Sequence, residues 1–286
     1  MVMKPAEYCL HCNPALLKRS DLLRGVGAAA LTATVGSALP TEALADSHDQ
    51  ERQIGNQVYQ QLRSQNQIED TSVWYPALRT VGDKVAGANQ PRWYNQNWII
   101  VKGKDVNAFS VPGGNIYVNE ALMAQAENED ELASVLGHET GHLVLGHVMD
   151  RIHKAQTAQI IGAVLSIFIH NQATFNLVNY LGSYAFLNFS RAQEYQADHE
   201  GVILAAKAGY NPWGMVWFFQ KLEKLYGNAG FEQYVQDHPA TSDRIARIEQ
   251  FFKSDPAQFG KFSSALTVKT GLKQSSTGTQ LLYKPS

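Results

Sequence analysis

The residues whose types and spacing most clearly suggest chemistry are His138-Glu139-Thr-Gly-His142. On an α-helix, residues four positions apart lie on one face, so the imidazoles of His138 and His142 can bind the same metal ion. Glu139 lies beside them and is placed to accept a proton from a metal-bound water. The pattern predicts a helix that holds one Zn²⁺ per chain and uses it for hydrolysis.

A catalytic zinc site needs three protein ligands and one open position, so a third ligand must come from elsewhere in the chain. The metzincin pattern requires glycine at 145 and histidine at 148, but this chain has Leu145 and Val148. On a continuous helix His147 lies about 140° round from His142 and cannot share its metal. We therefore interpret His147 and His153 as surface or helix-cap histidines.

A carboxylate is the remaining choice for the third ligand. No Asp or Glu occurs from Arg151 to Gln193, and the first acidic residue after this gap is Glu194. Asp198 lies four residues later, on the same face of the predicted helix, where it can accept the second ring N–H of a ligand histidine. On spacing alone, an exposed acidic helix face paired with Arg191 explains Glu194 and Asp198 equally well.

Four motifs occur in a fixed order along the chain. They are Asn107-Ala-Phe-Ser-Val-Pro-Gly-Gly114, His138-Glu-Thr-Gly-His142, Ser190-Arg-Ala-Gln-Glu-Tyr-Gln-Ala-Asp198 and His238-Pro-Ala-Thr-Ser-Asp-Arg244. Over roughly residues 50 to 250 the chain resembles the gluzincin metallopeptidases that include the CAAX prenyl endopeptidases, the HtpX-type heat-shock proteases and the periplasmic β-barrel assembly-enhancing protease. Some members have several long membrane helices or a C-terminal array of helical repeats, and the sequence here shows neither feature.

This resemblance implies a role for each residue that matches a family motif. His138, His142 and Glu194 would be the zinc ligands, and Glu139 would be the general base. Asp198 would orient a ligand histidine.

The same resemblance places His238 and Arg244 near the open side of the metal. Because His238 precedes a proline, an extended loop conformation is expected there. His238 would either occupy the fourth zinc position and keep the enzyme latent or stabilise the oxyanion, and an ordinary loop histidine is the remaining alternative. The strand around Asn107, Ser110 and Val111 would pair with an extended substrate.

Hydrophobic periodicity predicts a mostly helical, zincin-like α+β fold in a single domain, with a small β-sheet beside the active-site helix. The domain is expected to span residues 46–262, and residues 263–286, rich in Ser, Thr, Gly and Lys, to form a loose or partly extended tail. The predicted helices cover residues 46–65, 72–88, 128–151, 191–208, a segment that starts at 212, and 242–253; the predicted strands cover 98–101, 106–110 and 115–118.

The N-terminus has the features of an export signal. Lys18 and Arg19 precede an apolar segment, residues 25–41, and Ala43-Leu-Ala45 supplies small residues where a signal peptidase reads. We predict a leader over residues 1–45, cleaved after Ala45, and hence an exported protein; a buried N-terminal helix is the alternative. The two cysteines, Cys9 and Cys12, fall inside this leader, which excludes a disulfide framework in the mature chain.

The composition is that of a folded protein, since 44% of the 286 residues are hydrophobic and 17% are charged. The formal net charge of −2 gives no basic excess, so we expect no nucleic-acid partner. Residues 157–169 and 173–187 are apolar but too short to span a bilayer comfortably. Buried helices are the favoured interpretation, with peripheral membrane contact through 157–187 as the alternative.

Together these features predict a zinc-dependent endopeptidase that hydrolyses internal peptide bonds of exported polypeptides, in particular unfolded or misassembled ones. The alternative is a zinc-stabilised chaperone or binding protein whose metal site is capped and latent.

Overall fold

The computed structural model describes residues 41–89, 94–104, 106–155, 189–230, 238, 241–266 and 270–283. Most of the predicted leader and the segment 157–187 lie outside these residues. The backbone of residues 41–45, at the end of the predicted leader, is helical. None of the helices in the described ranges is both long enough and apolar enough to cross a membrane.

Helices make up most of the described chain, as the sequence predicts. In chain order the helices are α1 (Thr41–Ser64), α2 (Tyr75–Ala88), α3 (Glu120–Gln125), α4 (Glu129–Val144), α5 (His147–Ala155), α6 (Arg191–Lys207), α7 (Gly214–Gly230), α8 (Thr241–Ser254) and α9 (Pro256–Phe259). The strands are β1 (Thr71–Ser72), β2 (Asn97–Val101), β3 (Ala108–Val111), β4 (Asn115–Asn119) and β5 (Thr279–Gln280). These elements confirm the mostly helical α+β class.

A three-stranded sheet lies beside α4 and has the order β2-β4-β3. The central strand β4 is parallel to β2 and antiparallel to β3. The turn between β3 and β4 contains Gly113 and Gly114 at φ values of 82° and 93°, a left-handed conformation that glycine adopts without steric cost. β3 is one of the two edge strands of this sheet, and β2 is the other.

Both faces of the sheet are buried, because its side chains alternate between two hydrophobic clusters. Trp98 and Ile100 of β2 pack into the main core with side chains of α2 and α4. Ile99 and Val101 point the other way and pack with Val58 and other residues of α1. This period of two residues is that of a strand, and it holds the sheet firmly between helices.

The backbones of α4 and α6 lie in direct contact. A Cβ atom added at Gly201 of α6 would lie only 2.7 Å from the backbone nitrogen of His138, and one added at Gly137 only 2.5 Å from the carbonyl oxygen of Gly201. One turn further along α4, a Cβ at Gly141 would lie 2.9 Å from the carbonyl oxygen of Ala197. Small residues at these positions let the two helices approach closely enough for side chains of α6 to meet those of α4.

The helix predicted over residues 128–151 is broken into two. α4 ends at Val144, Gly146 follows with a φ of 70°, and α5 begins at His147. Glycine in the left-handed region just past a helix end is a common helix terminator. The residues after Gly146 therefore take a different direction from the one that a continuous helix would give them.

The helix predicted from residue 72 begins instead at Tyr75, with Pro76 in its first turn. Proline is favoured there because its missing N–H would have no helical partner. Thr71 and Ser72 form β1, which pairs antiparallel with Thr279 and Gln280.

The C-terminal segment is extended, but it is attached rather than loose. Besides the pairing of β1 with β5, the ring of Tyr283 stacks on that of Tyr59 with centroids 3.9 Å apart, and Leu272 is buried. The composition of this segment, rich in Ser, Thr, Gly and Lys, predicts a loose or partly extended tail. The few apolar and aromatic side chains that attach it to the domain do not change that average.

Candidate metal centre

A side-chain cap fixes the start of α4, the helix that carries both histidines. Asn128 caps the helix, because its side-chain oxygen accepts a hydrogen bond of 2.9 Å from the backbone N–H of Glu131. The Glu131 carboxylate accepts from the backbone N–H of Glu127, at 2.8 Å, instead of from that of Asn128. Only one of the two hydrogen bonds of a capping box is thus formed, and the helix begins near the predicted position.

Three side chains from α4 and α6 converge in the core. The Nε2 atoms of His138 and His142 lie 3.1 Å apart, and the carboxylate oxygens of Glu194 lie 3.6 Å and 3.4 Å from them, respectively. With His238 they form a buried group whose potential ligand atoms all lie within 4.8 Å of one another. Two imidazole nitrogens and a carboxylate oxygen are donors that zinc prefers. The predicted ligand set His138, His142 and Glu194 is confirmed as the zinc site.

Glu194 is fully buried, yet its surroundings favour the ionised form that binds a metal. Burial alone would raise its pKa, but the nearby charges of His238 and Arg244 hold the pKa of Glu194 well below its usual range. Arg244 Nη1 lies 2.9 Å from a carboxylate oxygen of Glu194.

Asp198 lies behind the first ligand histidine. Its Oδ1 is 2.9 Å from Nδ1 of His138, the ring nitrogen that faces away from the ligand cluster. Arg244 donates to both oxygens of Asp198, and this opposite charge keeps the pKa of Asp198 low in spite of its burial. Arg244 therefore contacts the zinc ligand Glu194 and the carboxylate of Asp198, and its place near the open side of the metal stays a prediction.

Glu139 is 2% exposed, and its Oε1 lies 3.6 Å from Nε2 of His238 in the ligand cluster. Burial raises the pKa of Glu139, whereas the nearby imidazoles of His238 and His138 favour its ionised form. The hydroxyl of Ser110, on β3, also favours the ionised form. The edge strand thus lies next to the predicted general base.

The other two residues of the predicted substrate strand are also buried at this edge of the sheet. The carbonyl oxygen of Asn107 accepts a hydrogen bond of 2.9 Å from the backbone of Asn119. Val111 is the last residue of β3 and lies opposite Asn115.

His238 lies against the ligand cluster, although Pro239 and the residues before His238 lie outside the described ranges. Its Nδ1 is 3.1 Å from Oε1 of Glu194 and 3.2 Å from Nε2 of His138. Its Nε2 lies 3.6 Å from Oε1 of Glu139. Although burial opposes protonation, the carboxylates raise the pKa of His238 to about 9.

The interpretation of His147 as a surface or helix-cap residue is wrong. His147 is 3% exposed, its Nδ1 lies 3.0 Å from Nδ1 of His142, and its Nε2 lies 3.1 Å from Oε1 of Gln196. Burial lowers the pKa of His147 to about 4. His153 is exposed, as predicted.

Sequence reasoning missed three neighbours of the site. The break at Gly146 brings His147 against His142, and a glycine just past a helical segment was a signal that could have revealed it. Gln196 and Phe189 gave no such signal. The ring of Phe189 stacks on His142 with centroids 3.8 Å apart.

The chain is similar to known peptidases. The model of peptidase family M48 matches residues 76–251. The chain is 35% identical over 153 residues to the mitochondrial metalloendopeptidase OMA1 of Arabidopsis thaliana. The aligned region covers 53% of this chain and 30% of that protein.

Two bacterial proteins are also similar to this chain. It is 29% identical over 228 residues to the metalloprotease LoiP of Escherichia coli K12, covering 75% of this chain and 85% of LoiP. It is 29% identical over 219 residues to the β-barrel assembly-enhancing protease of Yersinia pestis, covering 72% of this chain and 42% of that protein. The chain thus spans most of LoiP, but less than half of the Yersinia protein and about a third of the plant protein.

The family match and the buried cluster of ligand atoms agree on the same residues. The matched range contains both histidines of α4 and the glutamate of α6. This chain belongs to peptidase family M48 and carries, at His138, His142 and Glu194, the zinc site of a metalloendopeptidase.

Proposed function

We propose that this protein is an exported endopeptidase that cleaves internal peptide bonds of unfolded or misassembled polypeptides. The observation that carries the proposal is the position of Glu139. Its Oε1 lies 3.6 Å from Nε2 of His238 in the ligand cluster, and α4, which carries Glu139, packs against the edge strand β3. A proton acceptor at this position lies close both to the zinc ligands and to a strand on which a substrate backbone can bind.

Bound zinc supplies Lewis acidity, which lowers the pKa of a coordinated water and polarises the carbonyl of the scissile bond. Glu139 accepts the proton of the attacking water and returns it to the leaving amine. Burial raises the pKa of Glu139 toward the operating pH, which suits a group that must both accept and donate a proton. Glu194 stays ionised throughout, because Arg244 neutralises it from behind.

Substrate binding is assigned to β3 and the residue before it, through Asn107, Ser110 and Val111. A polypeptide that pairs with an edge strand is held by its backbone, so its side-chain sequence matters little. Only an extended segment can pair in this way, which favours unfolded or misassembled proteins as substrates. The predicted leader over residues 1–45 supports exported proteins as the source. A β-barrel assembly-enhancing protease among the relatives is consistent with such substrates.

The decisive experiment is cleavage of casein by the purified protein, with and without a zinc chelator. We expect cleavage that the chelator abolishes and added zinc restores. The matched variant Glu139→Gln should retain its zinc, because Glu139 is not a ligand, and should lose proteolysis. Unchanged activity in that variant would refute the assignment of the general base.

A second candidate is a capped, latent site, as in a zinc-stabilised binding protein. It is favoured by His238, whose Nδ1 lies in the same cluster as the three zinc ligands; a zinc ion with four protein ligands has no position for water. The variant His238→Ala distinguishes the possibilities. Increased casein cleavage identifies a latent protease, decreased cleavage assigns His238 to the reaction, and tight zinc binding without cleavage in either form supports a binding protein.

Peripheral membrane contact through residues 157–187 belongs to the same proposal. If these residues anchor the protein to a membrane surface, the full-length protein needs detergent to remain in solution, and a variant with polar residues in this segment does not. Equal solubility of the two proteins without detergent would argue against an anchor.

A further inference from the structure

The two histidine ligands have different partners behind them. Nδ1 of His138 faces the carboxylate of Asp198 at 2.9 Å, an arrangement that fixes the ring of a metal-binding histidine. Nδ1 of His142 faces instead Nδ1 of His147, at 3.0 Å. Two ring nitrogens at this distance form a hydrogen bond only if one of them carries a proton and the other does not.

The direction of this hydrogen bond follows from the metal site. Nε2 of His142 points into the ligand cluster, 3.4 Å from the carboxylate of Glu194, so it must present its lone pair to the zinc. A neutral imidazole has a single N–H. The proton of His142 is therefore on Nδ1, and His147 is the acceptor.

Gln196 determines which ring nitrogen of His147 carries its proton. Because Nδ1 of His147 accepts, its own N–H must be on Nε2, and this atom lies 3.1 Å from the side-chain oxygen of Gln196. An amide oxygen can only accept, so it holds His147 in the tautomer that His142 requires. The three side chains form a directed chain in which His142 donates to His147 and His147 donates to Gln196.

We infer that His147, held by Gln196, is a positioning residue that fixes the ring and tautomer of the zinc ligand His142. His147 is to His142 what Asp198 is to His138, but it is an uncharged partner. This inference rests on the zinc site and not on the substrate proposed above.

The test measures zinc affinity by competition with a chelator in the full-length protein, so it does not depend on proteolysis. His147→Leu removes the acceptor and should weaken zinc binding about 10- to 100-fold. His147→Asn places an amide oxygen near the position of Nδ1 and should restore affinity to within about threefold of the unchanged protein, as expected for a partner that acts through one hydrogen bond. The matched control His153→Leu changes an exposed histidine of the same helix and should have no effect.

A second readout uses the protein loaded with cobalt in place of zinc. The visible absorption bands of the cobalt centre depend on ligand geometry, so His147→Leu should shift them and His153→Leu should not. Loss of packing alone would not be rescued by asparagine. The inference is overturned if His147→Leu binds zinc as tightly as the unchanged protein, or if His147→Asn is as defective as His147→Leu.

If His147→Leu fails to fold, Gln196 provides the same test from a partly exposed position. Gln196→Met removes the acceptor for the Nε2 proton, whereas Gln196→Glu retains one. We expect Gln196→Met to weaken zinc binding about tenfold and Gln196→Glu to bind zinc at least as tightly as the unchanged protein. Equal affinities of the two variants would contradict the inference.

Discussion

Arg244 donates two parallel hydrogen bonds to Asp198, of 2.7 Å from Nε and 2.6 Å from Nη2, with both side chains shielded from solvent. The third nitrogen of the same guanidinium contacts Glu194. One cation thus neutralises a zinc ligand and the partner of another ligand. The planar fork of arginine makes this possible, because a lysine ammonium cannot hold two carboxylates in fixed directions.

Replacement of Arg244 should therefore destabilise the protein strongly. Arg244→Met leaves Asp198 without its guanidinium partner and Glu194 dependent on His238 for a counter-charge, and we expect the free energy of unfolding to fall by about 3–5 kcal/mol. Arg244→Lys, which keeps the charge but loses the fork, should give an intermediate loss. Urea denaturation in the presence of a chelator measures this effect apart from zinc binding. The exposed Arg247 provides the control, since Arg247→Met should change stability by no more than about 1 kcal/mol.

Because α4 and α6 are in close contact, we predict that replacing Gly201 by a larger residue destabilises the protein. In Gly201→Ala the new Cβ would lie 2.7 Å from the backbone of His138, and α6 must move away. We expect a loss of about 1–3 kcal/mol of stability and weaker zinc binding, because Glu194 moves with α6. The matched variant is Gly87→Ala in α2, where a Cβ would contact nothing within 4 Å; its stability should rise by about 0.4–1 kcal/mol. Equal stabilities of the two variants would contradict the close packing.

Lys221 of α7 stabilises the start of α4. Its ammonium contacts the buried carboxylate of Glu131 and donates a hydrogen bond of 2.7 Å to the carbonyl oxygen of Gln125. Lys221→Met leaves a buried acid without its partner and should cost about 2–4 kcal/mol in thermal or chemical unfolding. Adding Glu131→Gln should recover part of this loss, since no buried charge then remains. A double variant as unstable as the sum of the two single variants would show that the two residues act independently.

His199 of α6 should make stability depend on pH. Burial against α8 lowers its pKa from the ordinary value of 6.5 to about 4, and its ring lies 3.9 Å from that of Phe251. Between pH 6.5 and 4 the unfolded chain binds a proton here that the folded chain excludes. The contribution of His199 is therefore complete above pH 6.5 and is lost as the pH falls toward 4.

The size of this contribution is roughly 1–2 kcal/mol, less than the full shift would give because the ring is only partly buried. The variant His199→Gln cannot take up the proton, so its unfolding free energy should fall less steeply between pH 6.5 and 4 than that of the unchanged protein. Parallel pH profiles for the two proteins would contradict the assignment.

The sequence by itself predicted the metal chemistry, because that chemistry depends on spacing along one helix. His138 and His142 share a face whenever the segment is helical. The start of this helix near residue 128 and the absence of acidic residues from Arg151 to Gln193 are likewise readable without coordinates. The three strands of the sheet beside α4 and most of the long helices followed from hydrophobic periods of two and 3.6 residues. The short elements α3, α9, β1 and β5 and the break between α4 and α5 were not predicted.

Only the tertiary structure decided which side chains meet across different elements. The spacing did not decide whether Glu194 is a metal ligand or an exposed acidic residue. The close approach of α6 to α4 at Gly201 places Glu194 in the ligand cluster. The prediction of a surface position for His147 was wrong because it assumed one continuous helix, whereas the chain changes direction at Gly146. Arg244 and Gln196 act through contacts with residues distant in sequence, and no local pattern encodes such contacts.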